Sequence, residues 1–285
     1  MDRLVHYSLV FPPGEPRPDL IWQFGASVRT LREHNPRIPV ALFVHGAMPA
    51  GLAALCHEHD VLVHDQGPYR DRLAALCPEG WPLLVDYPLL HKFLNFRELA
   101  RTGARQILFC DCDTVFFSDV EALFDRYGDA DVVAREEVHS SRSIHGVDRT
   151  FIDEPLLARI AAADGAAVVA PFNLGVVLFN HDAWHRLGPL DALILDYAWR
   201  FKAGALPFPS TNWWILDEVA LWLALGHAPG LRTADFLPSD VAQNGEFMRA
   251  DPRGAGWVLC HYYSQNMGRI DAWLAGERAA ARAAA

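Results

Sequence analysis

Two carboxylates one residue apart, Asp111 and Asp113, close the run Gln106-Ile-Leu-Phe-Cys110 in a chain of 285 residues. Ile107 to Cys110 reads as a buried strand. Strand side chains alternate faces, so Asp111 and Asp113 are expected to point one way and Cys110 and Cys112 the other. Like charges at the mouth of such a strand repel, and burying them is costly unless a cation or hydrogen-bond donors stand between them. A hard divalent metal meets that need. Ser118-Asp-Val-Glu121 has the spacing of a capping box, predicting a short helix from Asp119 through Phe124.

Other chemistry-bearing residues are spread along the chain. Lys92 and Lys202 are the only lysines. Lys92 falls in a helix expected over Asp86 to Thr102, either near the Asp111 strand or snorkelling from an amphipathic surface. Asp217 and Glu218 are the only charges in the apolar stretch Thr211 to Leu225, a pattern that predicts a buried helix whose carboxylates need partners or a task. Gly175 opens a strand over Val176 to Phe179, where a glycine lets another group approach the backbone closely. Asn173 stands just before it, and a turn role fits as well. His261 follows the strand-like Trp257-Val-Leu-Cys260.

The elements that must position these residues begin with a strand over Arg3 to Val10 and a proline-rich loop. A helix over Asp19 to His34 and a strand over Ile38 to Val44 come next. Shorter elements are expected at Leu52 to His59, Val61 to His64, Tyr69 to Leu76 and Asp131 to Ala134. Glu136 to Asp153 lacks apolar periodicity and is expected to be a mobile loop of the kind that acts as a lid. Histidines 45, 57, 59 and 64 make no convincing metal set and read as solvated or core residues. We expect one domain over residues 1–275 and an Ala-rich tail over 276–285.

The segment ILFCDCDTVFFSDVEALF resembles the Asp-x-Asp region of metal-dependent glycosyltransferases that use nucleotide sugars, and most of all the retaining, glycogenin-like group (family 8-like). The resemblance implies an α/β GT-A fold, Rossmann-like, with a mixed, mainly parallel central sheet flanked by helices. It extends over most of the chain in shared order. The opening unit resembles the base-binding one and offers Tyr7 and Ser8, although ordinary strand-end residues would look the same. Leu-His-Lys92-Phe-Leu resembles a donor-contacting segment, and Phe172-Asn-Leu-Gly-Val176 one that lies against the donor sugar, where the amide of Asn173 suits a hydroxyl. Asp217 matches a residue at the acceptor or reacting sugar, although no Gly precedes it, and Glu218 stands where the group has Gln. The resemblance makes His261 the third metal ligand beside Asp111 and Asp113, a set that suits Mn²⁺ or Mg²⁺. The family's terminal Gly-x-x-Lys-Pro-Trp is absent, so Arg269 or Ser264 would take over that lysine's role toward the phosphates. A UDP-linked donor, a hydroxyl acceptor and retention of configuration are implied. Asp217 and Glu218 project roughly 100° apart on a helix and are not expected to reach one atom. Asp217 is assigned to the sugar, and Glu218 to acceptor binding or packing.

Bulk composition narrows the alternatives. A net charge of −10 without a basic block argues against nucleic acid. No apolar run is long enough to span a bilayer, no signal peptide is evident, and five cysteines form no disulfide framework; together these predict a cytoplasmic protein. The Asp-x-Asp-x-Thr pattern also fits haloacid-dehalogenase-like phosphatases, with Asp111 as nucleophile, but that motif belongs on a first strand and here a full βαβ unit precedes it. A zinc site of Cys110, Cys112, Cys260 and His261 is opposed by strand alternation. A non-catalytic sugar-nucleotide binder is a third alternative.

Overall fold

The computed structural model describes residues 2–14, 17–136, 152–180, 190–250, 252–263 and 266–284. The strands, in chain order, are β1 (Arg3–Phe11), β2 (Val40–Gly46), β3 (Leu62–Asp65), β4 (Gln106–Cys110), β5 (Thr114–Phe116), β6 (Val132–Glu136), β7 (Phe172–Asn180), β8 (Thr233–Asp235), β9 (Val241–Gln243) and β10 (Leu259–His261). Seven of them form the central sheet in the order β3-β2-β1-β4-β7-β6-β8, and the other three form a small sheet β5-β10-β9. β1 pairs in parallel with both β2 and β4, while β7 runs antiparallel to β4 and β6. The sheet is therefore mixed and mainly parallel, as expected.

The period of two along each strand divides the apolar side chains between two layers. Leu4, Phe43, Phe109 and Phe179 pack on one face with the helices Leu190–Lys202 and Leu216–Leu225. Val5, Tyr7, Leu42, Leu108 and Leu178 pack on the other, against Phe24, Val28 and Leu31 of the helix Pro18–His34. A third cluster fills the space between the small sheet and the helix Met267–Ala284. That last helix runs through the boundary expected after residue 275.

The antiparallel insertion of β7 does most to position the carboxylate pair. Cys110 pairs with Val176, so the carboxyl end of β4 lies beside the amino end of β7. Asp111 and Gly175 are thereby brought together, and the Asp111 amide donates to the Gly175 carbonyl at 2.8 Å.

Three local expectations are corrected. Asp86 to Thr102 is not one α-helix: Pro88–Asn95 winds as a 3₁₀ helix, and Phe96–Arg101 continues as α-helix. Six consecutive residues, Leu90 to Asn95, are buried, so the segment has no solvent face. Three residues per turn bring Leu89, Lys92 and Asn95 onto one stripe. The capping box at Ser118 does not form. The helix there is Glu121–Arg126, the Asp119 carboxylate accepts from the Glu121 amide, and Asn35 accepts from Val120. Asn173 lies inside β7 and not in a turn before it. The expected lid over Glu136 to Asp153 falls mostly outside the described residues.

Candidate metal centre and its cavity

A cavity of about 710 Å³ opens at the carboxyl ends of β1 and β4, and its wall brings together Lys92, Asp111, Asp113, Asn173, Asp217 and Glu218. Six residues from four separate stretches of sequence thus share one surface.

Asp111, Asp113 and His261 each offer a ligand atom, and these atoms lie within 4.8 Å of one another. Strand alternation is not what aligns the two carboxylates. β4 stops at Cys110, the chain bends through Cys112 and Asp113, and β5 begins at Thr114. The same bend turns Cys112 to the cavity wall, where its thiol meets the Gln23 side-chain oxygen at 3.3 Å, so Cys112 does not point away as expected. Hydrogen bonds pin the bend. The Thr114 hydroxyl donates to the Asp111 carbonyl at 2.9 Å, and the Tyr262 amide donates to the Asp113 carbonyl at 3.0 Å. β10 runs antiparallel to β5 with His261 opposite Thr114, which delivers the imidazole beside Asp113.

The ring of His261 packs flat against Gly175. A Cβ added there would lie 2.1 Å from ring atoms Cε1 and Nδ1, so only glycine fits, for the reason expected. His261 Nδ1 lies 2.9 Å from Asn173 Oδ1, and Nε2 lies 3.2 Å from Asp113 Oδ1. Burial disfavours charge on both partners, yet their mutual attraction prevails. Asp113 is held below the usual carboxylate range, and His261 is raised above the usual imidazole value. Two oxygen ligands and an imidazole whose far nitrogen is already anchored form a donor set that fits a hard or borderline divalent ion. The zinc alternative finds no geometry: Cys110 and Cys260 are buried in different clusters, and among the described residues the one candidate group contains no cysteine.

Lys92 is buried between carboxylates, with Nζ 2.9 Å from Asp111 Oδ2 and 3.5 Å from Asp217 Oδ2. Burial works against its charge, but Asp111 and Asp217 outweigh that and raise its pKa. It is not a snorkelling surface lysine. Burial raises the Asp217 carboxyl, and Lys92 opposes this only in part. Every residue of the helix Leu216–Leu225 is buried, as its composition predicts. Glu218 Oε1 accepts from the Leu174 amide at 3.0 Å and from the Asn173 side-chain amide at 3.3 Å.

Tyr7 is corrected. β1 alternates, so Ser8 lines the cavity while Tyr7 points to the opposite layer, wholly buried. The Tyr7 hydroxyl bonds Ser27 at 2.8 Å, and Ser27 bonds Thr114 at 2.9 Å, so Tyr7 supports the bend and not a base. Ser8 accepts from the Asn95 amide through its hydroxyl and from His91 through its carbonyl. Arg269 is not on the cavity wall; its guanidinium stacks 5.4 Å from the Phe247 ring and donates to the Phe247 carbonyl. Ser264 lies outside the described residues. Sequence reasoning missed Trp214, 78% exposed at the cavity. It also missed Tyr263, whose ring meets His261 edge-on at 4.7 Å with φ at +58°, a left-handed backbone rare for an aromatic residue. Adjacency to His261 was the one signal available for Tyr263.

The fold is that of the GT-A glycosyltransferases. The chain is similar to a galactosyltransferase, LgtC, solved with donor and acceptor sugar analogues: 13% identity, 94% of each chain covered, TM-score 0.57. Mouse xyloside xylosyltransferase 1 is 14% identical, with 92% of this chain and 97% of that one covered and a TM-score of 0.55. The glycosyltransferase GlyE of Streptococcus pneumoniae TIGR4 is 15% identical, with 93% of this chain and 56% of that one covered and a TM-score of 0.52. Among curated proteins, the probable galacturonosyltransferase-like 4 of Arabidopsis thaliana is 24% identical over 102 residues, 36% of this chain and 28% of that protein. No family model matches the chain.

Proposed function

We propose that this chain is a metal-dependent glycosyltransferase that moves a sugar from a nucleoside diphosphate donor, UDP-linked, to a hydroxyl acceptor with retention of configuration. The observation that carries this reading is the convergence of Asp111, Asp113 and His261 within 4.8 Å, with both carboxylates on the cavity wall. A bound Mn²⁺ or Mg²⁺ would neutralise the diphosphate as it leaves. Asp111, Asp113 and His261 would hold it, each through one atom.

The protein's own groups have distinct tasks in this reading. Lys92, protonated between Asp111 and Asp217, adds positive charge where the leaving group gains negative charge. Asp217 faces the reacting sugar, with Lys92 Nζ 3.5 Å from its Oδ2. Asn173 closes the sugar side. Trp214 offers an exposed ring at the mouth of the cavity. Among the described residues no helix is long and apolar enough to cross a membrane, and all five cysteines are free, which supports a place in a reducing cytoplasm.

The test is turnover of a panel of nucleotide sugars with and without Mn²⁺, then proton NMR of the new anomeric centre. We expect donor-dependent transfer or donor hydrolysis that stops in chelator and returns with Mn²⁺, and a product with the donor's configuration. Full activity in excess chelator would remove the metal centre from the mechanism. Hydrolysis of simple phosphomonoesters instead would favour the phosphatase, and donor binding without turnover the passive binder.

A further inference from the structure

We propose that Glu218 is a positioning residue for His261, acting through Asn173 to fix which imidazole nitrogen faces the carboxylates. The orientation of the Asn173 amide is determined twice over. Its Nδ2 faces the Glu218 carboxylate at 3.3 Å, and a carboxylate only accepts. Its Oδ1 faces the backbone amide of Gly175 at 3.0 Å, and a backbone amide only donates. The oxygen of Asn173 is therefore the atom 2.9 Å from His261 Nδ1, and that nitrogen must carry a proton. When the ring is neutral, Nε2 is the bare nitrogen, and it is the one that points at Asp113.

Each link lacks freedom. Glu218 is 8% exposed and Asn173 9%, and Glu218 Oε1 is also held by the Leu174 amide at 3.0 Å. The ring itself lies close against Gly175, where even a Cβ would stand 2.1 Å from Nδ1. A chain of three side chains thus runs from the helix Leu216–Leu225 through β7 to β10, joining the donor atoms that would otherwise depend on a three-residue strand. A histidine ligand is commonly oriented by a bond from its second nitrogen. Here that bond is itself oriented by a carboxylate one element further away, and this gives Glu218 a task distinct from acceptor binding. The inference rests on the proposed metal function only for what the ring is prepared to hold. The tautomer belongs to the protein alone.

Nitrogen-15 histidine NMR of the metal-free protein at alkaline pH reads the tautomer directly, with the His261 signal identified by its loss in His261→Gln. We expect Nδ1–H in the wild type and in Glu218→Gln, whose amide oxygen can accept the same two N–H groups. Glu218→Ala leaves Nδ2 of Asn173 without its acceptor and only the Gly175 amide to hold the oxygen against Nδ1, so a second tautomer should become detectable and Mn²⁺ binding, monitored by electron paramagnetic resonance, should weaken by about tenfold or more. An unchanged tautomer in folded Glu218→Ala would overturn the relay. If that variant does not fold, Asn173→Ala decides: a retained pure Nδ1–H tautomer overturns the proposal, and a mixture supports it. A wild type that binds no Mn²⁺ but shows this tautomer pattern would refute the metal reading and leave the relay standing.

Discussion

Replacing Gly175 with alanine isolates the packing on which the site depends. The glycine is not required by its backbone, because its φ is not in the left-handed region; it is required by the His261 ring. An alanine Cβ would stand 2.1 Å from Nδ1 and Cε1 and 2.6 Å from Cγ, whereas ordinary contact begins at 3.4 Å. The ring must retreat by far more than the roughly 0.2 Å that a metal–ligand bond tolerates. Gly175→Ala should therefore lose Mn²⁺ affinity by about tenfold or more. It should also cost about 1–3 kcal/mol of stability by overpacking. The same substitution in a His261→Ala background meets no ring and should be neutral to within about 0.5 kcal/mol, so urea unfolding of the four-protein cycle should return most of the cost as coupling. Equal cost in both backgrounds, or unchanged Mn²⁺ binding in the single variant, would refute the reasoning.

Other expectations come from the buried charges and rings. His6 and His45 are buried neutral with pKa pushed down to about 3, chiefly by burial, and neither ring nitrogen of His6 has a hydrogen-bond partner among the described residues. The unfolded chain takes up these protons near pH 6.5 and the folded one does not. Stability is therefore full above that pH and falls by about 1.4 kcal/mol per histidine per pH unit below it. His6→Leu should gain about 1–3 kcal/mol at pH 7 and show a pH slope shallower by one histidine; an identical slope in urea titrations from pH 6 to 4 would contradict this. Lys92→Met leaves Asp111 and Asp217 facing one another and should cost about 3–5 kcal/mol at pH 7. The loss should shrink at pH 5.5, because the already raised Asp217 pKa rises further and the folded state takes up the proton first; an equal loss at both values would count against the pairing. Tyr7→Phe should cost about 1 kcal/mol in thermal unfolding and leave the dissociation constant of UDP unchanged, whereas weaker UDP binding at unchanged stability would return Tyr7 to the cavity.

Periodicity made the layers legible in the sequence. β1, β2, β4 and the wholly buried helix at Leu216 all announce themselves by apolar spacing, and the order of motifs located Asp111, Asp113, Asn173, Asp217 and His261. What spacing could not reveal was local backbone winding. The 3₁₀ turn that buries Lys92 depends on tertiary packing around Leu90 to Asn95, not on propensity. The convergence of Asp111 and Asp113 was anticipated, but through alternation along one strand; the bend at Cys112 does it, held by partners as distant in sequence as Ser27 and Tyr262. The resemblance of the opening unit offers Tyr7 and Ser8 together, although neighbours on a strand serve opposite faces. The resemblance assigns Glu218 to acceptor binding or packing, and spacing cannot reveal the Asn173 amide it holds, which is far away in the chain.

The pairing of β10 with β5 has a consequence for how the protein is made. A ribosome delivers the carboxylate pair long before it delivers Leu259–His261, and β5 waits as an unpaired edge until that strand arrives. During this interval the acidic bend has no imidazole beside it. Assembly of the central sheet and completion of the candidate metal centre are therefore separable events in vectorial synthesis. A chain halted before residue 259 would expose a short hydrophobic edge at Thr114–Phe116 together with an Asp113 carboxylate deprived of its imidazole partner, a combination that chaperones and proteases are well placed to detect.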